Sequence, residues 1–256
     1  MNRFVHCLWG IPPTHPDYKD NHWFSRLSKV GDDIKLYMAN PYSPETTVYI
    51  FGQENYKRMI DLGFECKLLD KRPYVFDMEK SQYTHKIVCW QEATIDFDSM
   101  VFLDWDCVPL KPIHTYFWDR MNEGSEIKAP IYIYHRKRVY RPPNDHRKVC
   151  SASFVYIKGH KHADGIMKTW IEMGKPWKEE EPETKYIDSL SGGWKDVENY
   201  KQHDTYCYQM SKVPGLEKDS SEFIFGHFNK HIIGGLLGDG KGIKDRLDNL
   251  SKVLKI

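Results

Sequence analysis

Two aspartates one residue apart, Asp104 and Asp106, follow the apolar run Met100–Leu103. Because alternate residues of an extended chain point to the same side, both carboxylates can face one ligand. Like charges at this spacing repel, and a bound cation or a shifted pKa relieves that repulsion. The hard cations Mg²⁺ and Mn²⁺ take carboxylate oxygens together with substrate phosphates. The pair therefore predicts a metal–diphosphate site, and two solvated acids at a strand edge are the alternative.

The string from Asp104 to Val108 (DWDCV) resembles the DxDx[TV] motif of haloacid-dehalogenase-like phosphatases, in which the first aspartate is the nucleophile. That motif normally lies near the chain start, whereas about a hundred residues precede it here. The family also needs a later acidic motif such as GDxxxD. Gly238 and Asp239 begin such a motif, but Ile243 stands where its second aspartate belongs.

A longer stretch, Ser81–Leu110, resembles the basic-residue helix, spacer and YLDxDxxV string of GT-A-fold nucleotide-sugar glycosyltransferases, in the bacterial galactosyltransferase and glycogenin-like group. Tyr83–Phe97 has a helical apolar face, and Lys86 near its start matches the basic residue that reaches the donor diphosphate. The resemblance implies that Asp104 and Asp106 bind Mn²⁺ or Mg²⁺ and that the donor is a nucleotide-sugar, a UDP-sugar above all.

Later segments extend this resemblance. Ser151–Ile157 is similar to the family's N-[SA]-G-hydrophobic strand, which lines the sugar pocket, with Ser151 and Ser153 replacing Asn and Gly. His227 matches a C-terminal histidine that is the third metal ligand. The family's Gly and Lys-Pro-Trp after this histidine are absent, and Lys230 or His231 would take the phosphate-contact role.

The resemblance also implies roles for residues near the donor and acceptor. The nucleotide base needs an early loop, which Leu8, Trp9 and Gly10 would form, and Trp9 could stack on the base. Asp104 would bind the metal through water or hold the ribose. Asp204 is the candidate for acceptor orientation or proton transfer, and a helix N-cap is its alternative role. Inversion and retention both stay open.

Strand and helix patterns alternate along the chain and must position these residues. They predict an α/β fold: a single GT-A-like (Rossmann-like) domain with a mostly parallel central sheet and helices on both faces. We expect residues 1–110 to be the nucleotide-binding half ending in DxD, 111–235 the acceptor half, and 236–256 a C-terminal tail. The predicted strands are Phe4–Trp9, Thr46–Phe51, Phe64–Leu69, Met100–Leu103, Ile131–Tyr134 and Ser153–Ile157. The predicted helices are Asn21–Val30, Gln53–Leu62, Tyr83–Phe97, Ile113–Met121, His162–Met173 and Asp204–Met210, with an acidic loop at Glu179–Glu183.

A basic segment, His135–Lys148, holds six Lys and Arg residues. It predicts a phosphate-binding flap for the donor or for a phosphate-bearing acceptor, and a solvated loop is the alternative. The acceptor can be a saccharide, a glycolipid or a hydroxylated base in viral DNA. A non-enzymatic nucleic-acid-binding module that uses this segment is a further alternative. The six basic residues are Arg136, Lys137, Arg138, Arg141, Arg147 and Lys148.

Composition limits the remaining possibilities. The formal net charge of +1, from 37 basic and 36 acidic residues, argues against a broadly basic nucleic-acid-coating surface. The hydrophobic fraction of 40% exceeds what a disordered chain contains. No run approaches a transmembrane span and no signal-peptide pattern is present. We therefore expect a soluble cytoplasmic protein, in the host cytoplasm if it is viral.

Overall fold

The structure is a computed structural model. It describes residues 1–9, 33–35, 37–69, 85–129, 131–133, 148–150, 153–174, 180–191, 207–209 and 225–227. Several predicted features lie outside these residues. They are the helix Asn21–Val30, the site residues Gly10, Ser151, Asp204 and Lys230, and the basic residues Arg136, Lys137, Arg138, Arg141 and Arg147.

A six-stranded sheet forms the centre of the fold. Its strands are β1 Asn2–Leu8, β2 Thr46–Ile50, β3 Glu65–Leu68, β4 Ser99–Leu103, β6 Ile127–Lys128 and β9 Phe154–Lys158. They lie in the order β3-β2-β1-β4-β9-β6. The β1–β2, β2–β3 and β1–β4 pairs are parallel, whereas β9 is antiparallel to both β4 and β6. The expectation of a mostly parallel sheet is therefore confirmed.

Helices cover both faces of this sheet, as predicted. The described helices are α1 Gln53–Asp61, α2 His85–Asp96, α3 Phe117–Asn122, α4 His160–Glu172 and α5 Glu180–Ser189. Alternate residues of each strand enter opposite layers, since successive side chains point to opposite faces. Val5 and Cys7 of β1 pack in a cluster with α2, α4 and α5, whereas Phe4 packs with α3 and Leu8 packs with α1.

Two smaller sheets lie beside the central one. β5 Cys107–Pro109 pairs antiparallel with β11 Phe225–His227, and β11 pairs parallel with β10 Cys207–Gln209. The other is a pair, β7 Ile131–Ile133 with β8 Lys148–Cys150. Lys148, the last residue of the basic segment, is thus paired with Ile133.

Glycines define the ends of helix α1. Gly52 precedes the helix with φ 95° and Gly63 follows it with φ 86°, a backbone region that glycine enters without steric cost. The Gly63 N–H donates to the Ile60 carbonyl at 2.8 Å, which satisfies one of the last carbonyls of the helix. The helix that the sequence predicts at Gln53–Leu62 is confirmed to within one residue.

Three predictions of local structure were wrong. The predicted helix Asp204–Met210 contains strand β10, because Cys207–Gln209 pairs with β11 rather than coiling on itself. Most of the predicted acidic loop belongs to helix α5, which tolerates Pro182 in its first turn because the N–H groups there have no partner within the helix. Helix α3 begins at Phe117 rather than Ile113, after a turn in which the Phe117 N–H donates to the His114 carbonyl at 3.0 Å.

None of the helices in the described part of the chain has the length and apolar character needed to cross a bilayer.

Candidate active site at the carboxyl ends of β1 and β4

The order of the central sheet creates a crevice between β1 and β4. From β1 the chain adds β2 and then β3 on one side, and it then returns to place β4 on the other side of β1. Loops that leave two such parallel strands diverge, and ligands of open α/β sheets bind in the crevice between them. Trp9 follows β1 and Asp104 follows β4, so both predicted site residues lie at this point.

The two aspartates lie on a tight turn at the end of β4. The Cys107 N–H donates to the Asp104 carbonyl at 2.8 Å, which closes the turn. The Asp104 N–H donates to the Ser153 carbonyl at 2.8 Å, which ties the turn to the residue before β9. Asp104 and Asp106 are both half-buried, so their carboxylates keep access to a ligand. Ser153 itself is buried, and it supports the turn through its backbone.

Helix α2 brings a cation to these carboxylates. Lys86 Nζ lies 2.8 Å from Asp104 Oδ2, and it also lies 5.6 Å from the ring centre of Phe102. The Lys86 side chain is 5% exposed, against 24% for Asp104. The contact thus combines a nearly buried ammonium with a carboxylate that faces the crevice. The sequence placed Lys86 at a diphosphate and did not predict its ion pair with Asp104.

Trp105, between the two aspartates, is a site residue that the sequence reading missed. Its side chain is buried, its Nε1–H donates to the Cys7 carbonyl at 3.0 Å, and its ring stacks on His6 with centroids 4.1 Å apart. Burial lowers the pKa of His6 from 6.5 to about 3. His6 is therefore neutral at pH 7. The sequence did hold a signal for Trp105, because a large aromatic residue is unexpected between two acidic residues that face solvent.

Trp9 faces the same end of the sheet. Its ring is half-buried and lies parallel to that of His85, with centroids 5.7 Å apart and planes within 1°. His85 also contacts Phe51 edge-on at 4.6 Å. Leu8 differs, because its side chain is in the core and its carbonyl accepts the Phe51 N–H at 2.9 Å. Trp9 is therefore the aromatic residue through which this loop can present a flat face.

Strand β11 brings the backbone of His227 to the same turn. In the antiparallel pairing of β11 with β5, His227 lies opposite Cys107, the residue directly after Asp106. Opposed Cα atoms in such a pair are about 5 Å apart. Phe225 holds the strand there, since it is fully buried against Phe154 at 5.4 Å. The backbone of His227, the predicted third metal ligand, thus lies next to the turn that carries the predicted carboxylates.

No three described His, Cys, Asp or Glu side chains converge on a common point where they could hold a metal ion. Asp104 and Lys86 are in contact, Asp106 lies on the same turn, and the backbone register places the backbone of His227 next to that turn. Among the other predicted site residues, Leu8, Trp9 and Ser153 lie at this end of the sheet. The rest lie outside the described part of the chain or, like Lys148, are placed by their backbone alone.

Comparison with solved structures agrees with this architecture. The chain is similar to the apo-form glycosyltransferase GlyE of Streptococcus pneumoniae TIGR4, with a TM-score of 0.50 and 12% identity over 99% of this chain. The chain spans 62% of the length of GlyE. The fold is the GT-A glycosyltransferase fold. A second GlyE structure gives the same TM-score at 10% identity. The galactosyltransferase LgtC, solved with donor and acceptor sugar analogs, gives 0.47 at 12% identity over 100% of this chain and 95% of its own. No protein-family model matches the sequence, and a search of curated proteins finds no match.

Proposed function

We propose that the protein is a metal-dependent glycosyltransferase that moves a sugar from a nucleotide-sugar, a UDP-sugar in the first instance, to a hydroxyl acceptor. One observation carries the proposal: the Asp104–Asp106 turn lies at the crevice between β1 and β4, with the Lys86 ammonium 2.8 Å from one carboxylate. The crevice is where α/β sheets bind ligands. The GT-A fold supports the same reading.

The residues at the turn fit a hard divalent cation. Two half-buried carboxylates offer the oxygen donors that suit Mn²⁺ or Mg²⁺, and the backbone of His227 lies one strand away. We assign Asp106 and His227 as direct ligands, with Asp104 binding directly or through water. When bound, the metal supplies a Lewis acid that stabilises charge on the leaving diphosphate.

The chain's own cations would act on the same charge. In the transfer, the bond between the anomeric carbon and the diphosphate oxygen breaks, and its electron pair stays on the diphosphate. The acceptor oxygen bonds to that carbon, and the acceptor proton passes to Asp204 as base or to the departing diphosphate. Negative charge develops on the diphosphate, where a preformed ammonium such as Lys86 stabilises it. We assign the same role to Lys230 and assign acceptor orientation or proton transfer to Asp204. Trp9 would stack on the nucleotide base.

Three acceptor classes fit a hydroxyl-directed enzyme: a saccharide, a glycolipid and a hydroxylated base in DNA. The basic residues of His135–Lys148 would contact phosphate in the third case and in some forms of the second. A screen of the three classes with one donor separates them. Phosphatase chemistry with Asp104 as nucleophile is the enzymatic alternative, and the GT-A fold disfavours it.

A thermal-shift screen of UDP, GDP, CDP and ADP, each with and without Mn²⁺, tests the proposal. We expect one nucleotide to raise the Tm only when Mn²⁺ is present, by linkage of binding to folding. Asp106→Ala should remove that shift, whereas the matched control Asp119→Ala, on the exposed side of α3, should keep it. Sugar release from the corresponding nucleotide-sugar is the activity assay. Absence of any metal-dependent nucleotide shift in the wild type would refute the proposal.

A further inference from the structure

Trp105 connects the carboxylate turn to strand β1 and to the aromatic side chains around it. Its indole Nε1–H donates to the carbonyl of Cys7, two residues before Trp9 on strand β1. Its face lies on His6 at 4.1 Å with the ring planes 12° apart. The residue between the two aspartates is therefore attached to the neighbouring strand, whose loop borders the other side of the crevice.

Two further aromatic contacts fix the orientation of this indole, and a third joins two of its neighbours. Tyr37 contacts Trp105 edge-on at 5.8 Å, and Phe64 contacts it edge-on at 5.9 Å. Tyr37 also contacts His6 edge-on at 4.8 Å. We call these side chains, His6, Tyr37, Phe64 and Trp105, the aromatic box. Edge-to-face and stacked contacts of this kind stabilise the arrangement beyond the area that they bury.

The aromatic box constrains both aspartates, because Trp105 lies between them in the chain. Trp105 is 6% exposed, and a rotation of the turn would withdraw its indole from the box and break the bond to Cys7. The two half-buried acids carry like charges that repel each other, and the box opposes a movement of the turn that would separate them. Metal affinity depends on ligands being held near their bound geometry. The residues behind a metal site generally provide that support.

We propose that Trp105 is a positioning residue that holds Asp104 and Asp106 in the geometry of a divalent cation site by fastening their turn to strand β1. This inference rests on the proposed function for the identity of the cation. The inference goes beyond the proposed function because it assigns the position of the carboxylates to the aromatic box and to the hydrogen bond between the Trp105 indole and the Cys7 carbonyl.

The central test measures Mn²⁺ binding by electron paramagnetic resonance of free Mn²⁺, with no substrate present. Trp105→Phe keeps an aromatic ring on His6 and removes the hydrogen bond to Cys7. We expect it to weaken Mn²⁺ binding about three- to tenfold, which corresponds to the net contribution of one hydrogen bond. Phe64→Leu, a milder change at a half-buried wall of the box, should weaken it about twofold and provides a second variant if Trp105→Phe does not fold.

Trp170→Phe is the matched control, since Trp170 is a buried tryptophan of α4 that packs in the cluster on the opposite face of the sheet. We expect its Tm to fall as much as that of Trp105→Phe while its Mn²⁺ affinity stays at the wild-type value. A loss of Tm in Trp105→Phe with wild-type Mn²⁺ affinity would assign Trp105 a structural role only and overturn the proposal. An equal loss of affinity in Trp170→Phe would overturn it as well.

The two proposals can fail separately. Wild-type Mn²⁺ binding that Asp106→Ala abolishes and Trp105→Phe weakens, without sugar transfer to any acceptor, would support the positioning role and refute the glycosyltransferase function. Sugar transfer by a wild-type protein that binds no Mn²⁺ would overturn the positioning role and retain the transfer reaction.

Discussion

The ammonium of Lys86 lies 2.8 Å from Asp104 Oδ2, and this ion pair joins the start of helix α2 to the end of strand β4. The lysine is the more buried partner, at 5% exposure against 24%. A cation therefore lies beside the first aspartate of the motif before any ligand binds. In the proposed reaction, the same ammonium contributes positive charge close to where the diphosphate departs.

Breaking this ion pair should destabilise the fold. A nearly buried charge that loses its counter-charge typically costs 3–5 kcal/mol, and partial solvation of Asp104 reduces this to about 2–3 kcal/mol. We expect Lys86→Met and Asp104→Asn each to lower the free energy of unfolding by that amount in urea titrations, and the double variant to lose clearly less than their sum. Lys57→Met, at an exposed lysine of α1, should change the free energy of unfolding by less than about 0.5 kcal/mol. Additive effects of the two site variants would show that the pair contributes no coupling.

Acidification below pH 6.5 should destabilise the protein through His6. Burial lowers the pKa of His6 to about 3 in the folded state from 6.5 in the unfolded state. The unfolded chain therefore binds more protons between these values, and stability falls as the pH falls through this window. One proton corresponds to a slope of about 1.4 kcal/mol per pH unit. Between pH 6 and 5, unfolding free energies of His6→Phe should fall less steeply than those of the wild type by about 1 kcal/mol per unit. A Met59→Leu control, which changes a buried side chain that does not titrate, should keep the wild-type slope.

Glu126 stabilises the packing of α4 in a different pH window. Its Oε2 accepts hydrogen bonds from Lys161 Nζ at 2.6 Å and from His162 Nε2 at 2.7 Å, and these bonds lower its pKa from 4.5 to about 2. A carboxylate with a lowered folded pKa contributes stability above pH 4.5 and loses it as the pH falls toward 2. Glu126 is 42% exposed, so solvent screening limits the contribution to about 1 kcal/mol or less.

We therefore expect Glu126→Gln to unfold at lower urea concentration than the wild type at pH 7, and the difference to shrink by pH 2.5. Asp61→Asn, at an exposed carboxylate of α1, provides the control. A difference between Glu126→Gln and wild type that is the same at both pH values would contradict an ionised Glu126 as its cause.

Much of the fold follows from local patterns. Alternation in Val101, Phe102 and Leu103 sends successive residues to opposite core layers, as the strand period requires. The acidic pair could be located at a strand end because the apolar run before it is unambiguous. Strand β10 could not be predicted, since three residues carry no usable period and their pairing partner is β11, close only in the folded chain.

The contacts behind the site depend on tertiary register in the same way. Phe102 pairs with Val5 where β4 meets β1, and this register places Trp105 beside His6 and Cys7. Residue types and spacing within either segment leave that register open, because it is set by the packing of both strands against their layers. The sequence therefore indicated which residues could bind a cation, and only the fold showed what holds them.

Gly165 provides a test of how closely α4 and α5 approach. A Cβ atom at this position would lie 2.6 Å from Tyr186 Cζ and 2.9 Å from its hydroxyl oxygen, closer than carbon atoms pack. In an unobstructed helix, Gly→Ala stabilises by about 0.5–1 kcal/mol, whereas overpacking costs about 1–3 kcal/mol. We therefore expect Gly165→Ala to lower the free energy of unfolding by about 1–2 kcal/mol. In a Tyr186→Ala background the obstruction is gone, and the same substitution should become stabilising by about 0.5 kcal/mol. Urea titrations of the four proteins in this cycle measure the sign change, and a stabilising Gly165→Ala in the wild type would contradict the close approach of the two helices.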